Sequence, residues 1–369
     1  MGIYVSESVS YSAGSQRDIA PFVPAIGPRG GRNIITRFEI EFVTQVDTDG
    51  STSFDTEDWA SFLKEFIVYD KHGLRYRLSG FWARNVALLQ YGAQCPADPA
   101  SLAVSQSNAA RTVRIPIPMA MPRLLRDADT GLPVDELKSI TLAQAAISDM
   151  QITGTGLTVD SGTWKVYAHT VEEDMSSVEH KSRAVWTTQT MPSTSQMLLP
   201  LAGSALYAMF LGKKAAGGGA SLSNFTSVDD FAPAGITNIP KAALKAMYQI
   251  DSGYASATVD PVLADLLIPV VFPAKNQKLT DLASDKYGEG YFTADPLIRV
   301  TNTVSDLEVL MCSIQNRDSN AVRNANVRFN LPPEAAAVVK TAGKSRRDPA
   351  DFDRRKGLLP AKVRTGRKS

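Results

Sequence analysis

Residues 33–45 read NIITRFEIEFVTQ. Within them Ile34, Phe38, Ile40 and Phe42 alternate with Arg37, Glu39 and Glu41. Successive side chains of a strand point to opposite faces, so this is a strand with one buried and one wet face. The polar run DTDGSTSFD (47–55) ends it. Further on, Phe66–Tyr69 and Leu74–Leu78 are strand candidates, and Asp70-Lys71-His72-Gly73 between them suits a tight reversal. Val113, Ile115, Ile117 and Met119 share one face of the next segment while Pro116 and Pro118 take the other. Prolines donate no ladder hydrogen bond, which puts this segment at a sheet edge or on its way out of the sheet. A loop with a short helical turn (127–138), then Ser139–Gln144 and Trp164–Val171, complete a first set of strands.

A second set follows the polar stretch Glu172–Arg183: Gln196–Leu201, Leu297–Thr301 and Leu307–Ile314, the last apolar on both faces and therefore central. Gly-Lys-Lys-Ala-Ala-Gly-Gly-Gly (212–219) is too glycine-rich to pack and opens a long exposed loop, 212–239. Pro240 opens a helix containing Leu244, Met247 and Tyr248. Asp260-Pro261 opens another, with Leu263, Leu266 and Leu267, which Pro269 stops. Residues 1–32 are rich in Ser, Gly and Pro without a strand or helix period, and read as an arm ordered only where a neighbour holds it. There is no βαβ rhythm. The expected fold is all-β, two β-sandwiches in series with short helices in loops. Its divisions are an arm (1–32), a first sandwich (33–180), a second (181–332), and a short helix with a basic C-terminal tail (333–369).

At 369 residues the chain has the length of two domains, and a composition 44% hydrophobic, 21% charged and 8% aromatic excludes global disorder, collagen repeats and a coiled coil. Cys95 and Cys312 cannot build a disulfide framework or a four-thiolate zinc site, and three histidines argue against a histidine-rich metal centre. The opening MGIYVSESVSYSAG lacks a basic start followed by an apolar core, so no Sec export is expected. Met1-Gly2 with Ser6 fits the loose myristoylation pattern but has no basic cluster beside it. The longest apolar stretch, Val262–Ala274, is too short to span a bilayer and is broken by Asp265, Pro269 and Pro273.

Sites of chemistry are scarce. The phosphate-loop pattern GxxxxGK[ST], the nucleophile elbow GxSxG and the zinc motif HExxH are all absent. Gly154-Thr155-Gly156 and Gly288-Glu289-Gly290 lack the third glycine of a dinucleotide loop and read as turns. Asp47, Asp49 and Asp55 offer oxygens to calcium, but the glycine stands fourth in the run rather than sixth, and a solvated hairpin loop fits better. Glu172, Glu173, Asp174, Glu179 and His180 form a dense acidic stretch in a connector, where such residues ordinarily face water. His72 sits in a turn, His169 on a strand as a structural histidine, and the cysteines read as buried or idle thiols. Trp59, Trp82, Trp164 and Trp186 are scattered and form no base-stacking platform. No catalytic residue, cofactor or metal is expected, and the chain reads as a non-enzyme.

The charge is lopsided. The whole chain carries +1, yet residues 340–369 alone carry +8, leaving −7 for everything before them. Lys344, Arg346, Arg347, Arg354, Arg355, Lys356, Lys362, Arg364, Arg367 and Lys368 stand in small clusters with few apolar anchors, so the tail should not fold alone. These ten are the candidate phosphate or membrane contacts; near an anionic surface each contributes on the order of 1 kcal/mol, screened by salt. Phe352, Leu358 and Leu359 are the apolar residues that would dip into an interface or dock on a neighbour. A purely solubilising tail is the competing reading.

The runs NIITRFEIEFVTQ, FLKEFIVYDKHGLRYRLSGFW and RTVRIPIPMAMPRLLRDADTGLPVDELKSITLA resemble, in order and pattern, the first jelly roll of tectivirus-type major capsid proteins. WKVYAHTV followed by QMLLPLAGSALYAMF looks like that family's passage between jelly rolls, and DPLIRVTNTVSDLEVLMCSIQN like its closing strands. The likeness spans about residues 33–316 and departs at both ends, the basic tail above all. It implies two consecutive eight-stranded antiparallel jelly rolls in a coat subunit of a tailless, icosahedral, internal-membrane bacteriophage, made in the host cytoplasm and residing in the virion capsid. It further implies homotrimers shaped as pseudo-hexagonal capsomers that meet neighbouring capsomers and minor capsid and vertex proteins. The tail lies outside the resemblance, and its charge alone leads to the expectation that it lies against internal membrane, packaged DNA or neighbouring subunits. The arm and the 212–239 loop would then be free to cover edges and grip neighbours. Competing readings are a carbohydrate-binding or receptor-binding viral spike β-sandwich and a hydrolase whose site is invisible in sequence.

Overall fold

The computed structural model describes residues 2–120, 130–150, 152–173, 182–191, 196–198, 205–212, 222, 225–232, 236–252, 261–271, 297–302 and 307–316. The N-terminal segment supplies β1 (Gly2–Val5), β2 (Val9–Ser10) and β3 (Gln16–Ile19). There follow β4 (Arg32–Thr48), β5 (Leu63–Asp70), β6 (Gly73–Leu78), helix α1 (Gly80–Tyr91), β7 (Ala109–Pro118), β8 (Leu132–Pro133), β9 (Leu137–Gln144) and β10 (Leu157–Glu173). The second half supplies β11 (Ser182–Thr190), β12 (Gln196–Leu198), β13 (Ala205–Gly212), β14 (Phe225–Ala232) and β15 (Ile236–Pro240). Helix α2 (Lys241–Ser252), β16 (Leu267–Val271), β17 (Leu297–Asn302) and β18 (Glu308–Asn316) complete it.

These strands make three sheets. A six-stranded sheet runs β1-β10-β4-β7, with β2 on β10 and β8 on β4; an eight-stranded sheet runs β16-β13-β18-β11-β6-β5-β9-β3; a four-stranded sheet runs β12-β17-β14-β15. The alternation of residues 33–45 is realised in β4, which pairs antiparallel with β10 from Arg32 opposite Glu173 to Thr48 opposite Leu157. Phe38, Ile40 and Phe42 are buried, and Phe42 stacks on Trp164 of β10 with ring centroids 4.0 Å apart. Phe38 meets Phe66 of β5 edge-on at 5.8 Å, which ties the six-stranded sheet to the first-half strands of the eight-stranded one. The reversal at residues 70–73 closes with Asp70 paired to Gly73, whose φ of 116° suits glycine in the turn. β7 lies at a sheet edge, as its prolines require, with Pro116 opposite Glu39 and Pro118 opposite Arg37.

In the second half β18 lies between β13 and β11 and is apolar on both faces for a visible reason. Val309 and Met311 enter the core shared with Met209, Leu211, Val228 and Ile268, while Leu310 and Cys312 join Ala208 and Phe210 in the cluster that contains Trp82. The inner sheet of the second half is thus covered on both sides.

Four sequence expectations change. Residues 1–32 do form strands: β1 and β2 pair with β10 and β3 with β9, so the arm's holder is the chain's own sheets. The 212–239 segment is no continuous loop, because β14 and β15 fold back antiparallel within it and bury Phe225 and Val228. The helix expected from Pro261 does not form. The amides of Leu266 and Leu267 both donate to the Pro261 carbonyl, Asp265 takes a left-handed φ of 61°, and the chain leaves extended as β16. Pro269 is tolerated there because β16 is an edge strand. Finally, α1 was not foreseen; it buries Phe81, Trp82, Ala83, Val86, Ala87 and Leu89.

Candidate functional site: the joint between the halves

The eight-stranded sheet crosses from one half to the other at β6 and β11, which pair parallel with Trp186 opposite Tyr76 and Thr187 opposite Arg77. Beside this seam lies a cluster of charges withdrawn from water. Asp70, at the end of β5, is 0% exposed, Arg75 on β6 is 1% exposed and Arg183 on β11 is 2% exposed. The Arg183 Nη1 group pairs with the Asp70 carboxylate, and its Nη2 donates to the Leu74 carbonyl at 2.7 Å. Arg75 Nη1 stands 3.6 Å from the same carboxylate, while its Nη2 donates to the carbonyls of Met119 (2.8 Å) and Thr130 (2.5 Å). The His72 backbone N–H donates to Asp70 Oδ1 at 2.8 Å. Burial pulls the Arg183 guanidinium below its usual pKa, and Asp70 opposes that pull. A buried carboxylate with two guanidiniums adds little net stability over apolar side chains of the same volume, whereas removing one partner alone is costly.

A second link runs through α1. The Trp82 indole N–H donates to the Glu308 carboxylate of β18, 226 residues away in sequence. Gly212, read from sequence as the start of a loop, is the last residue of β13, and a Cβ there would overlap the Trp82 ring. Glycine here permits close approach. The arm adds a third link, within the first half. Tyr11 sits 5.8 Å from both Phe42 and Phe62 and donates its hydroxyl to the Ala145 carbonyl at 2.8 Å. The Gln144 side-chain carbonyl accepts from the Ser12 amide (2.8 Å) and the Trp164 indole (3.2 Å), fastening arm and both sheets to one side chain.

The other candidates resolve into structural roles. Glu172 accepts from the backbone amides of Arg29 (2.9 Å) and Gly31 (2.7 Å) and so closes the turn before β4. Asp174, Glu179 and His180 lie outside the described residues. Asp47 accepts from the Asn108 amide at 2.6 Å, and Asp49 accepts from the Ser51 amide and hydroxyl at 2.9 Å, which holds Asp49 below the usual carboxylate range. Among the described residues no three His, Cys, Asp or Glu side chains are placed to hold a metal, and no helix is long and apolar enough to cross a membrane. His169 is buried, with Nε2 3.3 Å from Glu39 and Nδ1 3.4 Å from Arg37. Burial pushes the Cys95 thiol up to about 12 and raises Cys312 as well, so neither offers a thiolate near neutral pH. The ten tail residues Lys344, Arg346, Arg347, Arg354, Arg355, Lys356, Lys362, Arg364, Arg367 and Lys368 lie outside the described residues, as does the helix expected at 333–341.

What the described surface leaves bare is apolar rather than catalytic. β1 exposes Ile3 (63%) and Val5 (51%) on an edge strand, and α2 exposes Met247 and Ile250. At the other ends of the six- and eight-stranded sheets, β7 carries Pro116 and Pro118, β16 carries Pro269, and β3 is short and carries Arg17 and Asp18.

No family model matches the chain, and no curated protein matches it. Solved structures do. The chain is similar to the major capsid protein of Sulfolobus turreted icosahedral virus, with a TM-score of 0.57 and 13% identity over 87% of this chain and 98% of that one. A structure of that virus gives 0.55 and 12% identity over 92% and 96%. The major capsid protein P2 of bacteriophage PM2 gives 0.51 and 11% identity over 86% and 98%. The chain has the double jelly-roll fold of these coat proteins. The resemblance read from the strand order is thereby met at the level of the fold, at 11–13% sequence identity.

Proposed function

We propose that this chain is the major capsid protein of an icosahedral virus, a structural subunit rather than an enzyme. One observation carries the reading: two sandwiches joined by a single eight-stranded sheet, in a chain that matches 98% of a viral coat subunit's length. In this reading residues 33–180 and 181–332 are two jelly rolls, and homotrimers of the chain present six sandwiches as a pseudo-hexagonal tile. Tiles meet one another and minor capsid and vertex proteins in the virion of an internal-membrane bacteriophage. The exposed Ile3 and Val5 edge and the apolar residues of α2 support contact between copies. The net +8 of residues 340–369 supports a tail that faces a polyanion under the shell, headgroup phosphates or packaged DNA.

Size exclusion with light scattering, followed by electron microscopy of assembled material, tests the proposal. Trimers that tile are the expected result. A monomer that binds glycans and never tiles would replace the coat reading with the spike reading. Deleting residues 340–369 should leave trimers intact while weakening particle assembly or membrane retention; unchanged assembly and membrane content would remove the tail from the account.

A further inference from the structure

We propose that β1 pairs antiparallel with β1 of a second copy about a twofold axis, Ile3 opposite the partner's Val5, so that two six-stranded sheets join into one. The inference rests on the coat reading above, and names the partner and the register of one contact between copies. β1 ends its sheet, and among the described residues its strand neighbour is β10 alone, with Gly2 opposite Thr170 and Val5 opposite Tyr167. In the same register the Ser6 amide donates to the Val166 carbonyl at 2.9 Å. Bonded positions alternate along an antiparallel pair, so Gly2, Tyr4 and Ser6 turn their backbone groups toward β10. Ile3 and Val5 turn theirs outward, and the same two residues expose their side chains, at 63% and 51%. An edge that shows amides, carbonyls and apolar side chains together is a template for another strand.

The chain's own β1 is the strand that fits. The other described sheet ends match poorly: β7 carries Pro116 and Pro118, β16 carries Pro269 and β15 ends in Pro240, and proline lacks the amide a ladder needs. β3 brings Arg17 and Asp18. β1 is complementary to itself. With Ile3 opposite the partner's Val5, both outward residues of each copy enter bonded pairs, about four hydrogen bonds in all, and Tyr4 falls on the axis. Opposed residues share a face, so the two apolar side chains cover each other on one side of the joined sheet. Slipping by two residues sets Ile3 against Glu7, or runs Val5 past the end of β1. Slipping by one sets outward residues against inward ones.

The size of the contact fixes its place. At about 3.4 Å per residue β1 is about 14 Å long, and pairing it buries far less than the roughly 1,200 Å² at which stable complexes begin. It therefore acts between copies already gathered in one assembly, where repetition multiplies weak contacts. A trimer cannot use it internally, because each copy has one β1, each pair consumes two, and a ring of three leaves one over. The contact lies between trimers.

The full chain carrying Ile3→Cys is mixed with the full chain carrying Val5→Cys at about 0.1 mM and mildly oxidised. Opposed residues of a bonded pair stand about 5.5 Å apart at Cα, within disulfide reach. The expected result is roughly tenfold more covalent dimer in the mixture than in either variant alone. Cross-linking through Cys95 is common to all three samples and cancels in that comparison. Equal yields overturn the pairing. Ile3→Lys/Val5→Lys gives a second reading: both side chains are exposed, so melting and trimers should be unchanged while tiling falls roughly tenfold. Unchanged tiling overturns the pairing as well. A wild-type chain that neither trimerises nor tiles removes the coat reading instead, and the cross-link then decides the pairing by itself.

Discussion

Arg183→Met tests whether the joint is held by its buried charges. The substitution keeps most of the side-chain volume, removes the cation paired with Asp70 and deletes the 2.7 Å bond to the Leu74 carbonyl. Asp70 stays at 0% exposure and retains Arg75 at 3.6 Å and the His72 amide at 2.8 Å. Breaking a buried ion pair from one side costs about 3–5 kcal/mol, chiefly through the charge left uncompensated. The groups that remain on Asp70 place this loss near the lower end, about 3 kcal/mol. The double variant Asp70→Asn/Arg183→Met removes that stranded charge. It should be more stable than the two single losses added together, by about 1–2 kcal/mol. Urea titration followed by tryptophan fluorescence is the assay, with Trp186 on β11 beside the seam as reporter. A loss under about 1 kcal/mol in the single variant, the range of exposed pairs, would refute the argument, as would strict additivity in the cycle.

Phe210→Ala opens a cavity on the face of β13 turned toward Tyr248 and the cluster containing Trp82, and should cost about 3–5 kcal/mol in the same titration. Tyr11→Ala, which removes the ring lodged against Phe42 and Phe62, should cost about 2 kcal/mol and speed amide exchange in β1–β3 more than in β4. Glu39 is held below the usual carboxylate range by its hydrogen bond to His169, against the opposing pull of burial. A carboxylate depressed in the folded state lends stability above its unfolded pKa and loses it as pH falls through the folded value. The melting temperature should therefore fall more steeply between about pH 5 and pH 3 in the wild type than in Glu39→Gln, and parallel curves would contradict this.

Where one face is wet and the other buried, the sequence was transparent. β4 announces itself by alternation, the 70–73 turn by Asp and Gly, the β7 edge by its prolines, and β18 by apolar residues on both faces. The arm was opaque because its strands are two to four residues long and owe their shape to β10 and β9 rather than to any local period. α1 escaped for the opposite reason: apolar residues surround most of its circumference, so no polar stripe marks a helical repeat. The 261–267 segment misled because Asp-Pro often opens helices, whereas here Asp265 turns left-handed and no helix forms. The joint was hidden altogether. Asp70 looked like a turn residue and Arg183 like the end of a solvated connector, and 113 residues separate partners that only the β6–β11 pairing unites. The basic tail was the most legible feature of composition, and its role rests on charge alone.

The unbroken ladder from β16 to β3 has a mechanical consequence. Backbone hydrogen bonds of the β6–β11 pair carry tension from one sandwich into the other, which resists a bend at the waist. Rotating one half against the other would shear the Tyr76–Trp186 register and tear the indole of Trp82 from Glu308. If such subunits are set into a curved surface, the bending strain falls on the seams between them, and each polypeptide rides along stiff.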